Sequence, residues 1–216
     1  MKMEERDKGF PSFFADAPTL TVRDPLAEFL GAAQQGIMEY RYVDVVRLAG
    51  HSCPTVAGAY LMTLHGLRAL YGSDLPVRGE IAVFMRDAQD RGVNGVIAGV
   101  VQLLTGAASD GGFQGIGSEH RFSRHHLMTF DRPIQAVLGL QRKDTGRAVQ
   151  VQFNESFVPW ADETRALMPK AVAGKASPEE LERFGQLWQD RVHKILVIHA
   201  NDPQMIQVSD WTSASA

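Results

Sequence analysis

With one cysteine in 216 residues, the chain has no disulfide framework of its own: Cys53 is a free thiol, a metal-bound thiolate or half of an intermolecular bridge. Dense basic runs are also missing. Lys plus Arg total 22 against 25 Asp plus Glu, a formal net charge of -3, so there is no electrostatic footprint for nucleic acid. A small-molecule ligand or substrate, or a protein, is the expected partner. No segment approaches the roughly 20 apolar residues that span a bilayer, and no membrane association is expected. The opening "MKMEERDKGF" lacks the apolar stretch of a secretion signal. From these absences a soluble, cytoplasmic protein is expected. Internal repeats and low-complexity tracts are absent too, and the length suits one domain with a substantial core.

What is present divides into an N-terminal arm over residues 1–20, one domain over 21–210 and a frayed tail over 211–216. The arm, with two prolines and "GFPSFF", reads as a dispensable strap across the surface. Asp24 followed by Pro25 is a cap and first-turn pair for a short helix. A second short helix begins near Asp44 and runs toward Gly50. From Pro54 to Tyr71, "PTVAGAYLMTLHGLRALY" is apolar on nearly every side and rich in small residues, which predicts a buried helix. "RGEIAVFMRD" reads as a strand, and "NGVIAGVVQLLTG" as a second apolar helix that Gly106 ends in the left-handed conformation. Two helices with Ala and Gly on their faces can pack closely. "ASDGGFQGIGS" is a glycine loop, without the order of a dinucleotide or phosphate-binding motif. "PIQAVLGLQRK", "DTG" and "RAVQVQF" read as a hairpin with Val149, Val151 and Phe153 on its buried face. Ser177 and Glu180 form a capping box for a late helix with Leu181, Phe184, Trp188, Val192 and Ile195 as its apolar stripe. "ILVI" before His199 suggests a strand. The class is α+β, an antiparallel sheet packed with apolar helices.

The chemistry centres on "AGHSCPTV". Cys53 stands directly before a proline-initiated helix, where unsatisfied N–H groups and the helix dipole favour thiolate over thiol. His51 lies two residues earlier. Thiolate and imidazole are both zinc ligands, and zinc needs further groups from elsewhere. A buried Cys beside a hydrogen-bonded His explains the same spacing without a metal.

The stretch "VVRLAGHSCPTVAGAYLM" resembles the FmdE family, related to a component of formylmethanofuran dehydrogenase, in which His-Gly-His-x-Cys-Pro precedes a small-residue helix. Gly50, His51, Cys53 and Pro54 match that pattern. Gln102, Thr105 and Gly106 match the family's Gln-x-Leu-Thr-Gly, and the hairpin around "KDTGRAVQV" continues the likeness. The resemblance spans roughly residues 40–155 and the late helix. It implies an α+β domain, a homodimer, and a metal-binding or active-site cleft near the His-x-Cys motif. Ala49, Thr55 and Ala107 replace the family's His, Gly and Cys, Gly99 and Val96 stand where an acidic residue and a cysteine are usual, and these 216 residues carry no cysteine-rich zinc finger.

The missing ligands have one local replacement. "GSEHRFSRHHLM" offers His120, His125 and His126 with Glu119, and the expected metal set is His51, Cys53, His125 and His126. Zinc is the default metal, with another transition metal or haem as alternatives. The expected function is a metal-dependent enzyme acting on a small molecule; the alternatives are a non-catalytic metal, haem or small-ligand sensor, and metal-free chemistry with Cys53 as catalytic nucleophile and His51 as its base. His65 reads as a satisfied core or interface histidine and His193 as a helix-end charge. Asp87 and Asp90 read as capping carboxylates or an acid–base pair, and Arg86, Arg121 and Arg124 as solvated charges or anion binders.

Overall fold

The computed structural model describes residues 7–212. A two-stranded antiparallel ribbon, β1 (Leu20–Arg23) with β2 (Ile37–Tyr40), flanks the short helix α1 (Pro25–Phe29). Asp24 caps α1 by accepting from the amides of Leu26 and Ala27. Helix α2 (Tyr42–Ala49) follows and ends at Gly50, whose φ of 74° places it in the left-handed region that glycine enters without strain.

The central helix α3 (Pro54–Tyr71) has the expected boundaries, begun by its proline and followed by Gly72 at its end. Leu61, Leu64 and Leu67 are fully buried, each contributing about 1.5–3 kcal/mol by removal from water. Its two interior glycines explain how closely it sits on the sheet. A Cβ at Gly58 would stand 2.3 Å from the Phe153 ring, and one at Gly66 would stand 2.6 Å from Leu140 Cδ1. Small residues on α3 thus serve helix-on-sheet packing as well as its contact with α4 (Asn94–Thr105).

The main sheet has the order β4-β3-β5-β6-β7, with β3 (Ile81–Met85), β4 (Met128–Thr129), β5 (Leu138–Arg142), β6 (Ala148–Phe153) and β7 (Ile206–Asp210). Strands β3, β5, β6 and β7 pair antiparallel, while β4 joins β3 in parallel through two residue pairs. The expected hairpin is β5–β6, with Leu140 opposite Val149. Val149 and Val151 face the core, and Gln150 and Gln152 face outward with Gln207 and Ser209.

Several elements depart from the sequence reading. Helix α5 (Asp162–Val172) and strands β1, β2, β4 and β7 have no counterpart in it. "KILVI" is not a strand but a π-helical turn, Lys194–Ile198, that continues α6 (Pro178–His193). The tail also begins later than expected. Trp211 donates its amide to Ala148 O at 3.0 Å and lies against Gly139 and Phe84, while residues 213–216 of the expected frayed segment fall outside the described residues. The arm is more than a strap: Phe14 is buried edge-on against Tyr42, with ring centroids 4.9 Å apart. Among the described residues, no helix is long and apolar enough to cross a membrane.

Candidate functional site

Cys53 is the N-cap of α3. Its extended backbone (φ −150°, ψ 169°) turns the thiol back over the helix start, and Sγ accepts from the Val56 amide at 3.4 Å. The residue is only 9% exposed. His51 is exposed, with Nδ1 2.9 Å from the Ala49 carbonyl. A carbonyl only accepts, so Nδ1 carries the proton in that contact and Nε2 is left as the acceptor or ligand atom.

Ser52, between them, is clamped by α6. Trp188 Nε1 and Gln189 Nε2 donate to the Ser52 carbonyl at 3.0 and 3.2 Å, and Ser52 Oγ donates to Gln189 Oε1 at 3.1 Å. With its own proton committed, Ser52 Oγ receives the Tyr42 hydroxyl at 3.0 Å. Burial pushes that hydroxyl well above the ordinary tyrosine value, against the lowering hydrogen bond to Ser52, and keeps it a donor. Sequence reasoning does not reach this clamp, because Trp188 and Gln189 lie over 130 residues from Ser52.

His125 and His126 come together in a different company. Their ring centroids are 3.5 Å apart, and His126 Nδ1 is 3.1 Å from Asp110 Oδ1. Among the described residues, Asp110, His125 and His126 are the one group of three or more His, Cys, Asp or Glu whose ligand atoms all lie within 4.8 Å of one another. His51 and Cys53 are not in it, and neither is His120, whose Nδ1 contacts the Gln114 carbonyl at 3.0 Å. Asp110 escapes the sequence reading; the available signal is an acidic side chain inside a loop whose glycines allow close backbone approach.

That approach is visible at Gly112, where a Cβ would stand 2.7 Å from His125 Cα. Segments 108–112 and 124–128 are zipped together: Ala108 N donates to Arg124 O, His126 N to Ser109 O and Leu127 N to Ala108 O. Arg124 anchors the second segment from beneath. Its NH2 group donates to Asp24 Oδ1 at 2.6 Å while Arg78 NH1 donates to Asp24 Oδ2 at 2.7 Å. Arg124 is therefore a buried structural ion, not a solvated charge or anion binder. Burial raises the Asp24 carboxyl, but the Arg78 hydrogen bond, the Arg124 charge and the Ala27 amide outweigh it and hold the carboxyl below its ordinary value.

The remaining candidates are structural. His65 Nε2 lies 2.7 Å from the Ala200 carbonyl, and burial, with Arg68 adding to it, lowers the imidazole below its ordinary value despite that hydrogen bond. Asp87 pairs with Arg86 and Arg91. His193 lies under Phe13 with ring centroids 4.9 Å apart. Arg121 stacks over Phe122.

Against known proteins, residues 48–202 match the family described as FmdE, molybdenum formylmethanofuran dehydrogenase operon. Among solved structures the chain is similar to a tungsten formylmethanofuran dehydrogenase FmdE-like protein from Syntrophus aciditrophicus, at 17% identity over 80% of this chain and 73% of that one, with a TM-score of 0.42. No curated protein matches the chain.

Proposed function

The chain belongs to the FmdE family, and from that premise we propose that it is a metal-binding protein acting on a small molecule, with His51 and Cys53 as its site and zinc as its metal. The observation that carries this reading is the placement of Cys53 as N-cap of α3, its sulfur directed at the Val56 amide. The sulfur stands at a helix start, among backbone N–H groups, where cysteines serve as metal ligands and nucleophiles. His51 adds an imidazole whose Nδ1 rests on the Ala49 carbonyl, the usual arrangement for a histidine that ligates through its other nitrogen.

Two protein donors are fewer than the three or four that zinc takes. Ala49 and Ala107 have no ligand atoms to offer, and no group of three donors among the described residues contains Cys53. The open positions fall to water, to a second copy of the chain or to the small molecule. A metal held there would polarise a carbonyl or activate water. The same shortage of donors favours one second reading, thiol chemistry by Cys53 with His51 as base.

We take the protein as a cytoplasmic homodimer. Its one cysteine is free, in keeping with a reducing compartment. The outward face of α4 supports self-association, with Val93 53% and Val96 37% exposed and open space beside Gly99. Light scattering at micromolar concentration should give twice the chain mass, and a monomer would count against it.

The site is tested by metal analysis of Cys53→Ala and His51→Ala proteins. Each should lose zinc while keeping the fold, whose core lies in α3, α4 and the sheet. Full metal occupancy in both variants would remove the metal reading. Normal metal in both variants, with Cys53 alkylated more slowly in His51→Ala than in the wild-type protein, would favour the nucleophile.

A further inference from the structure

We infer that Asp110, His125 and His126 form a second site, for a divalent transition-metal ion, separate from the His51 and Cys53 motif. The donor set is two imidazoles and one carboxylate, a combination that suits zinc, iron(II) or cobalt(II) and leaves coordination positions open. Bonds of about 2.0–2.2 Å to one ion allow ligand atoms to stand up to roughly 4.4 Å apart. The three ligand atoms lie within 4.8 Å of one another, so closure onto an ion requires only a small movement of two exposed side chains and the half-buried His125.

Consecutive residues in extended chain point to opposite sides. His125 and His126 do not. His126 has a φ of 58°, in the left-handed region, and this turn brings the two rings to the same side with centroids 3.5 Å apart. The backbone beneath is fixed by the hydrogen bonds between segments 108–112 and 124–128 and by the contact of Gly112 with His125. Arg124, the nearest cation in sequence, is turned inward to Asp24 and leaves the imidazoles and the carboxylate to face solvent together. Asp110 and His126 have side chains 93% and 65% exposed, so water or a small anionic or carbonyl ligand can reach the remaining positions. The site draws together two features that otherwise lack a role, the glycine loop and the paired histidines.

The test is a titration of the full-length, metal-free protein with cobalt(II) alone, followed by absorption. Visible d–d bands report any ordered site, while a near-ultraviolet sulfur-to-cobalt band reports Cys53. Cys53→Ala should retain one equivalent of cobalt with d–d bands and no sulfur band. His125→Ala/His126→Ala and Asp110→Asn should weaken that binding by at least about tenfold, the lower end of the loss seen when even a ligand's hydrogen-bond partner is removed. Asp110→Asn carries the test if the double variant fails to fold, because its side chain is solvent-facing. Undiminished binding in Asp110→Asn and in a folded double variant would overturn the proposal, as would d–d bands absent from Cys53→Ala, which would leave Asp110 and His126 a surface ion pair only. Absence of the sulfur band from the wild-type protein would sink the thiolate–metal reading and leave this one standing.

Discussion

Asp24 concentrates several tasks in one side chain. It caps α1, and its two carboxylate oxygens separately receive Arg124 and Arg78, which also donates to the Leu103 carbonyl, so a single anion joins the β1–β2 ribbon, through Arg78 the end of α4, and the histidine loop. Arg124 has a buried Nε with no hydrogen-bond partner, which makes the pairing at its other nitrogens harder to replace. Removing one member of such a buried set leaves the others uncompensated. Asp24→Ala should cost about 3–5 kcal/mol in denaturant unfolding, far beyond the ~1 kcal/mol of a lost cap; a loss under about 1 kcal/mol would show that water already satisfies both guanidinium groups. His65 gives a pH signature. Its folded value lies below the ordinary 6.5, so the unfolded chain binds the proton more readily and stability from this group is present above that value. It is lost as pH falls from the unfolded value toward the folded one. The stability of wild type should therefore fall more steeply than that of His65→Gln between about pH 7 and 5. Parallel curves would refute the linkage.

At the scale of elements, punctuation decides what can be read. Helices α2, α3 and α4 and the β5–β6 hairpin carry proline starts, left-handed glycine ends or strict alternation, and these signals are local. Helix α5 buries only Thr164 and holds Pro169 in its last turns, so neither its periodicity nor its composition stands out. Strand β7 buries Ile206 alone of its five residues, leaving no alternation to detect. "KILVI" is β-branched and apolar like a strand, yet it follows the last turn of α6 without a break; continuity of the preceding helix overrides the propensity. The site divides similarly. His51 and Cys53 are visible because they share one short motif, whereas Asp110 reaches His126 only through a non-local loop. The capping box of α6 is legible in the sequence and present in the fold, with Ser177 Oγ accepting from the Glu180 amide at 3.2 Å and Glu180 from the Ser177 amide at 2.9 Å. Because the first turns of α6 are largely exposed, Ser177→Ala should reduce stability by about 0.5–2 kcal/mol. Thermal unfolding with no shift in midpoint would mean that α5 alone holds this end.

Over the whole molecule, the His51–Cys53 motif is held between two elements far apart in sequence, the N-terminal arm and α6. The arm reaches it through Phe14 on Tyr42, whose hydroxyl meets Ser52, and Asp7 fastens the arm to α2 through Arg41 and Arg47. On the other side, α6 supplies Trp188 and Gln189 to the Ser52 carbonyl. The arm and α6 also touch each other, Phe13 against His193. The motif therefore inherits its geometry from long-range packing rather than from α2 and α3 alone, and its exposure should respond to changes in α6. Trp188→Phe isolates that dependence: it keeps a ring beside Trp160 and Phe184 but deletes the indole N–H that binds Ser52. Loss of one partly buried hydrogen bond is worth about 0.5–1.5 kcal/mol. If Cys53, 9% exposed, reacts only when the motif opens locally, that energy appears as a faster reaction. Iodoacetamide should then alkylate the variant about 2- to 10-fold faster than wild type, with global stability changed by no more than the same energy. An unchanged alkylation rate in a folded variant would show that α6 covers the motif without holding it, and that the thiol is governed by the start of α3 alone.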